Sequence, residues 1–238
     1  LGVREPFPLP HVAPSVGDPR GLGIAEALNA LHVARQNELH PAPADYTRAV
    51  EACERGQQWQ LALDLMRGMR RDRIRPETAA CDSAVVACQA SGQWEEAVGL
   101  LDRIVAQRLE PSLRAYRAAV RGCGDHLHSL RGWERNGGVA VQRKSAGCWR
   151  SVLKLLDDMA ATRVQPDMAF YTEAVGVCDR AGQGDRSHVL RKAMMAHQFR
   201  DILDTCAAGG RWEKALSLLE TVREKELGPD DAMHASAI

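Results

Sequence analysis

The chain has 238 residues, of which 45% are hydrophobic and 26% charged, a balance that excludes wholesale disorder. Aromatic residues make up only 5%, which argues against a β-sandwich or barrel. Lys plus Arg equals Asp plus Glu at 31 each, so there is no overall basic excess of the kind nucleic-acid binders usually carry. Any such partner has to be met by local patches.

The seven Cys form an odd count without framework spacing, which points to a reducing compartment. No run of about 18 apolar residues occurs, so no membrane insertion is expected. The chain opens on Leu1 rather than Met, and a preceding segment, with any targeting peptide, is expected beyond it. Residues 1–22 carry Pro6, Pro8, Pro10, Pro14 and Pro19 and read as an irregular lead-in.

From there the chain repeats itself. Pro41, Pro76 and Pro111 are 35 residues apart, as are Ala27, Ala62 and Ala97, and Cys53, Cys88 and Cys123. Trp59 matches Trp94, and Tyr46, Cys81 and Tyr116 share one slot. Residues 23–42 read as the second helix of a partial unit, followed by full units at 43–77 and 78–112. The unit at 113–167 carries 20 extra residues, an insertion at about 124–147, after which Trp149, Met159, Pro166, Tyr171 and Cys178 resume the pattern. A shortened unit follows at 168–195, since Tyr171 and Phe199 are only 28 apart and the closing Pro is missing. The unit at 196–230 carries Phe199, Cys206, Trp212, Ala215 and Pro229. Residues 231–238 read as the truncated start of another.

Each unit predicts two helices. Tyr46, Val50 and Cys53 fall at i, i+4 and i+7, on one helical face, and the same face recurs through Cys81, Tyr116, Tyr171 and Phe199. A break such as ASGQ follows, where Gly ends a helix. The second helix buries Trp59, Ala62, Leu65, Met66 and Met69, with copies from Trp94 and Trp212. These Trp residues therefore read as packing groups. The closing Pro stops the second helix. One hairpin cannot cover two apolar faces, so stacked hairpins are expected: an all-α fold, a right-handed α-solenoid of helix-turn-helix repeats.

Cys123, His126, His128 and Cys148 suggest a metal site only at first sight. Cys123 occupies the packing slot of the other Cys residues, and the spacing is not a zinc pattern. No phosphate loop, paired carboxylates or nucleophile–base arrangement stands out, so neither an enzyme nor a cofactor is expected.

A 35-residue hairpin with an early Tyr, a mid-unit Gly, an early Ala in the second helix and a closing Pro resembles the pentatricopeptide repeat family. RAYRAAVRGCG and FYTEAVGVCDRAGQ are similar to its first helix, and GQWEEAVGLLDRIVAQRLEP to its second. The resemblance covers about residues 24–238, less the insertion. It implies an organellar protein, in the mitochondrion or chloroplast, that holds single-stranded RNA along its first helices at about one base per repeat. The residues it assigns to base reading pair Thr47 with Glu77, Asp82 with Ser112, Arg117 with Asp167 and Arg200 with Asp230, with Thr172 lacking a partner. Such readers pair Thr, Ser or Asn with Asp or Asn, and none of the complete pairs here follows that pattern, so weak sequence specificity is expected. The flanking position holds Ala44, Ala79, Arg114, Ala169 and His197. Arg114, Arg117 and Arg121, at i, i+3 and i+7, form a basic stripe expected to meet phosphates, followed by Arg131, Arg135, Arg143 and Lys144 of the insertion. The alternative is a non-catalytic scaffold that binds protein partners in a large organellar assembly such as a ribosome.

Overall fold

A computed structural model of the protein describes residues 19–36, 41–130, 138–209 and 217. Every regular element among them is helical: α1 (Pro19–Gln36), α2 (Pro43–Arg55), α3 (Trp59–Arg71), α4 (Thr78–Ala90), α5 (Trp94–Ala106), α6 (Leu113–Leu130), α7 (Gly138–Ala161), α8 (Met168–Arg180) and α9 (Gly184–Ala208). The described residues form two compact units. One runs up to His126 and takes in Asp158–Val164; the other comprises Leu127–Asp157 and the residues from Gln165 onward.

In the first unit α2 packs on α1, α3 and α4, and α4 packs on α3 and α5. The faces read from the i, i+4, i+7 spacing are the core. Tyr46, Val50 and Cys53 are fully buried, as are Val85, Cys88, Tyr116, Val120 and Cys123. From the second helices Ala62, Leu65, Met69, Ala97 and Leu101 complete the layer. Each large side chain so buried contributes roughly 1.5–3 kcal/mol. Small residues set the spacing between helices: a Cβ added at Gly122 of α6 would lie 3.4 Å from Trp94 Cβ. Trp94 itself is buried against His126, with ring centroids 5.5 Å apart. Trp59 and Trp149 are only half-buried, and the Arg150 guanidinium lies 5.3 Å from the Trp149 ring centroid.

One turn recurs. After α2, α4 and α8 the chain passes through a left-handed residue, Gln57 (φ 55°), Gly92 (φ 72°) or Gly182 (φ 69°). The next N–H then reaches back to a Cys carbonyl: Gln58 to Cys53, Gln93 to Cys88 and Gln183 to Cys178, each 2.9 Å. After α3, α5 and α7 the left-handed residue is Arg73, Arg108 or Arg163. Ile74, Leu109 and Val164 close back to Met69, Ile104 and Met159 at 2.8, 3.2 and 3.0 Å. Both turns are Schellman closures, which satisfy the last helical carbonyls, and the second set also places an apolar residue, Ile74, Leu109 or Val164, at the closure.

Three stretches depart from the units read in the sequence. Helix α1 begins at Pro19, inside the stretch read as irregular, with Pro at a first-turn position where its missing N–H is harmless. The insertion is largely absorbed into longer helices. The slot of Gln57, Gly92 and Gly182 holds Leu127, which is buried and extends the Tyr116–Val120–Cys123 face, so α6 runs on to Leu130. At the shortened unit, where the sequence leaves the course of the chain open, α9 is one continuous helix of 25 residues. Between Asp185 and Ala208 there is neither Gly nor Pro to stop it. The expected second helix with Trp212, and the final stretch to Ile238, lie outside the described residues.

Candidate nucleic-acid interface

Of the residues assigned to base reading, Thr47, Asp82, Arg117 and Thr172 sit near the starts of α2, α4, α6 and α8, and Glu77, Ser112 and Asp167 immediately precede α4, α6 and α8. Thr47 on α2 is buried, and its hydroxyl lies 3.0 Å from the Pro43 carbonyl and 2.8 Å from the Glu77 carboxylate. One hydroxyl proton serves two acceptors. Glu77 is held because it immediately precedes α4, the helix packed on α2.

The next pair repeats this geometry with the roles exchanged. Asp82 on α4 is 7% exposed, and its carboxylate accepts the Ser112 backbone N–H at 3.2 Å, just ahead of α6. Burial pushes the Asp82 carboxyl above its usual range. The Ser112 hydrogen bonds and the Arg114 charge oppose that rise, and Glu54 adds to it. Arg114 is not a free cation, since its guanidinium pairs with Glu54 at the end of α2. The stripe read as basic is thus neutralised at its first position. Arg117 is half-buried and Arg121 exposed on α6, and both have partners of their own.

Arg117 and Asp167 belong to different compact units. Asp167 caps α8, accepting the Phe170 N–H at 2.8 Å. Thr172 is exposed and donates to the Met168 carbonyl at 2.7 Å. Arg200 lies on α9, and its charge opposes the rise that burial imposes on the Tyr171 phenol. Asp230, Arg131 and Arg135 lie outside the described residues, while Arg143 and Lys144 fall within α7.

The Tyr slot has a purpose that pattern alone does not reveal. The Tyr46 hydroxyl donates to Asp72 at 2.6 Å, and the Tyr116 and Thr162 hydroxyls lie 3.3 Å apart. Asp72 and Thr162 are the residues just before the left-handed Arg73 and Arg163. Each Tyr therefore ties its first helix to the closing turn of its own hairpin. Tyr171 finds His197 in the corresponding place, with ring centroids 6.0 Å apart, and His197 lies within α9 rather than on a closing turn. The equal spacing from Tyr46 to Asp72 and from Tyr171 to His197 is the signal that could have exposed this.

A further network fastens α8 to α9. Buried Ser187 donates to Asp179 at 2.5 Å, and Arg191 pairs with the other oxygen at 2.6 Å. Burial pushes the Cys53, Cys81 and Cys88 thiols up to about 12, which leaves them unreactive near neutral pH. Among the described residues, no group of three His, Cys, Asp or Glu is placed to hold a metal ion, and no helix is long and apolar enough to cross a membrane.

No protein-family model matches the chain, and no curated protein matches it by sequence. Solved structures do. The pentatricopeptide repeat domain of Arabidopsis thaliana protein-only RNase P 1, solved in complex with tRNA, aligns over 74% of this chain and 82% of its own, at 17% identity and a TM-score of 0.54. The pentatricopeptide repeat protein PPR10 from maize aligns over 92% of this chain and 35% of its own, at 19% identity and a TM-score of 0.39. The fold of this chain is that of a pentatricopeptide-repeat helical array.

Proposed function

We propose that the chain is a non-catalytic adaptor that holds single-stranded RNA along its first helices, with weak sequence specificity, and supports RNA processing, stability or translation in a mitochondrion or chloroplast. The observation that carries the reading is the shared fold with a repeat domain solved on tRNA. Weak specificity follows from the pairing inside the first unit. Thr47 and Glu77 engage each other, and so do Asp82 and Ser112, which leaves few groups to discriminate a base edge. The neutral overall charge limits long-range attraction, so binding should be strongest at low salt.

The test is retardation of a single-stranded RNA oligonucleotide in a gel. Wild type should retard it at low salt, and Arg117→Ala with Arg121→Ala should weaken that retention. Failure to retard any RNA at low salt would overturn the reading. That outcome would leave the scaffold alternative, which the internally paired groups on the first helices favour independently.

A further inference from the structure

The turns that close α3, α5 and α7 use an unexpected residue. A left-handed residue just past a helix is usually Gly, because a Cβ disfavours that conformation. In this chain the slot holds Arg73 (φ 57°), Arg108 (φ 54°) and Arg163 (φ 58°), the same residue type three times. Backbone geometry does not ask for Arg. The corresponding turns inside the hairpins use Gln57, Gly92 and Gly182. Complementing the helix dipole does not ask for it either. That effect fades beyond the last turn, and α3 and α5 already carry Arg70, Arg71 and Arg103 there.

All three Arg are exposed, and among the described residues none of them is in an ion pair. Arg114, on the face expected to meet RNA, is by contrast neutralised by Glu54. The three turns belong to one compact unit and stand where a second helix has ended and a first helix is about to begin. Two of them are pinned from behind, by Tyr46 on Asp72 and by Tyr116 on Thr162. Each guanidinium thus projects from a turn closed by its own backbone hydrogen bond, one per hairpin.

We infer that Arg73, Arg108 and Arg163 form a phosphate-binding edge, and that the sugar–phosphate backbone of single-stranded RNA runs along this edge. The inference rests on the RNA-binding reading above and deepens it, because it adds polyanion contacts at the closing turns to those of Arg117 and Arg121 on the first-helix stripe. One cation per hairpin fits recognition at about one nucleotide per repeat. Guanidinium is also the side-chain cation best matched to phosphate oxygens.

The substitution Arg→Gly suits the test, since Gly takes this conformation more easily and the fold is kept. The experiment measures retention of a single-stranded RNA oligonucleotide across a salt series for wild type, for Arg73→Gly/Arg108→Gly/Arg163→Gly, and for the same three positions as Lys. Each phosphate contact adds about 0.7 to the salt slope of single-strand binding. The Gly variant should therefore lose about 2 from the slope, with a melting temperature no lower than wild type. The Lys variant should keep most of the slope. An unchanged slope in the Gly variant, with wild type still binding, would overturn the edge and leave the RNA reading intact. No binding by wild type at low salt would overturn the RNA reading itself, and an acidic protein would then be the partner for the edge.

Discussion

Helices α2 to α5 and helices α8 to α9 solve the same problem in two ways. In the first group each helix stops after 13 residues at a left-handed turn, and each Tyr or Cys face meets its neighbour within a hairpin. In the second, α8 ends at the same kind of turn at Gly182, but α9 then runs through 25 residues where the pattern calls for a hairpin closure and a new start. The contrast teaches that apolar periodicity fixes which faces pack, whereas chain direction depends on a few stop residues. RDRIRP, AQRLEP and ATRVQP end their helices; AMMAHQFR, lacking Pro, does not.

The contrast can be broken most forcefully by supplying the missing stop. Ala196→Pro removes a backbone hydrogen bond in the middle of α9 and should cost about 3 kcal/mol or more, read from chemical denaturation. Retained stability would mean that the chain already bends there.

The next largest effect concerns the hairpin tie. Tyr46→Phe removes the hydroxyl that holds Asp72 and should cost about 0.5–1.5 kcal/mol, while the ring stays buried. Tyr171→Phe, in the unit without a closing turn, should cost less.

Smaller again is the left-handed slot itself. Gly182→Ala should lose about 1 kcal/mol because of the Cβ penalty at positive φ, whereas Gln57→Gly should be neutral or stabilising. Equal responses at the two sites would show that the turns are not equivalent.

The most subtle effect is in pH. Asp82 titrates above its unfolded value because burial disfavours its charge. The folded state then binds more protons than the unfolded state in that window, so stability falls as pH rises from the ordinary carboxylate range through the raised value. Asp82→Asn should remove that slope, seen as melting curves that converge with wild type at low pH and diverge above it.

Much of this was legible in the sequence. The first-helix faces are visible because the same spacing recurs through Tyr46, Cys81, Tyr116, Tyr171 and Phe199. The pairing of Thr47 with Glu77, and of Asp82 with Ser112, was legible through the resemblance to the pentatricopeptide repeat family. That these groups satisfy each other does not follow, because it depends on side-chain reach across α2, α4 and α6. The Glu54–Arg114 pair spans 60 residues and carries no local pattern. The Tyr tie is hidden by its varied partner, Asp72 in one hairpin and Thr162 in another. The fused α9 shows in the sequence as a 28-residue spacing from Tyr171 to Phe199 and a missing Pro.

Amide hydrogen exchange at Met194–His197 tests the two-way closure most directly. Continuous helix predicts protection there comparable to the middle of α8, with fast exchange at the turn amides of Arg75 and Glu110, which precede Pro. Rapid exchange at Met194–His197 would mean that a turn interrupts α9, and the contrast between the two regions would be gone.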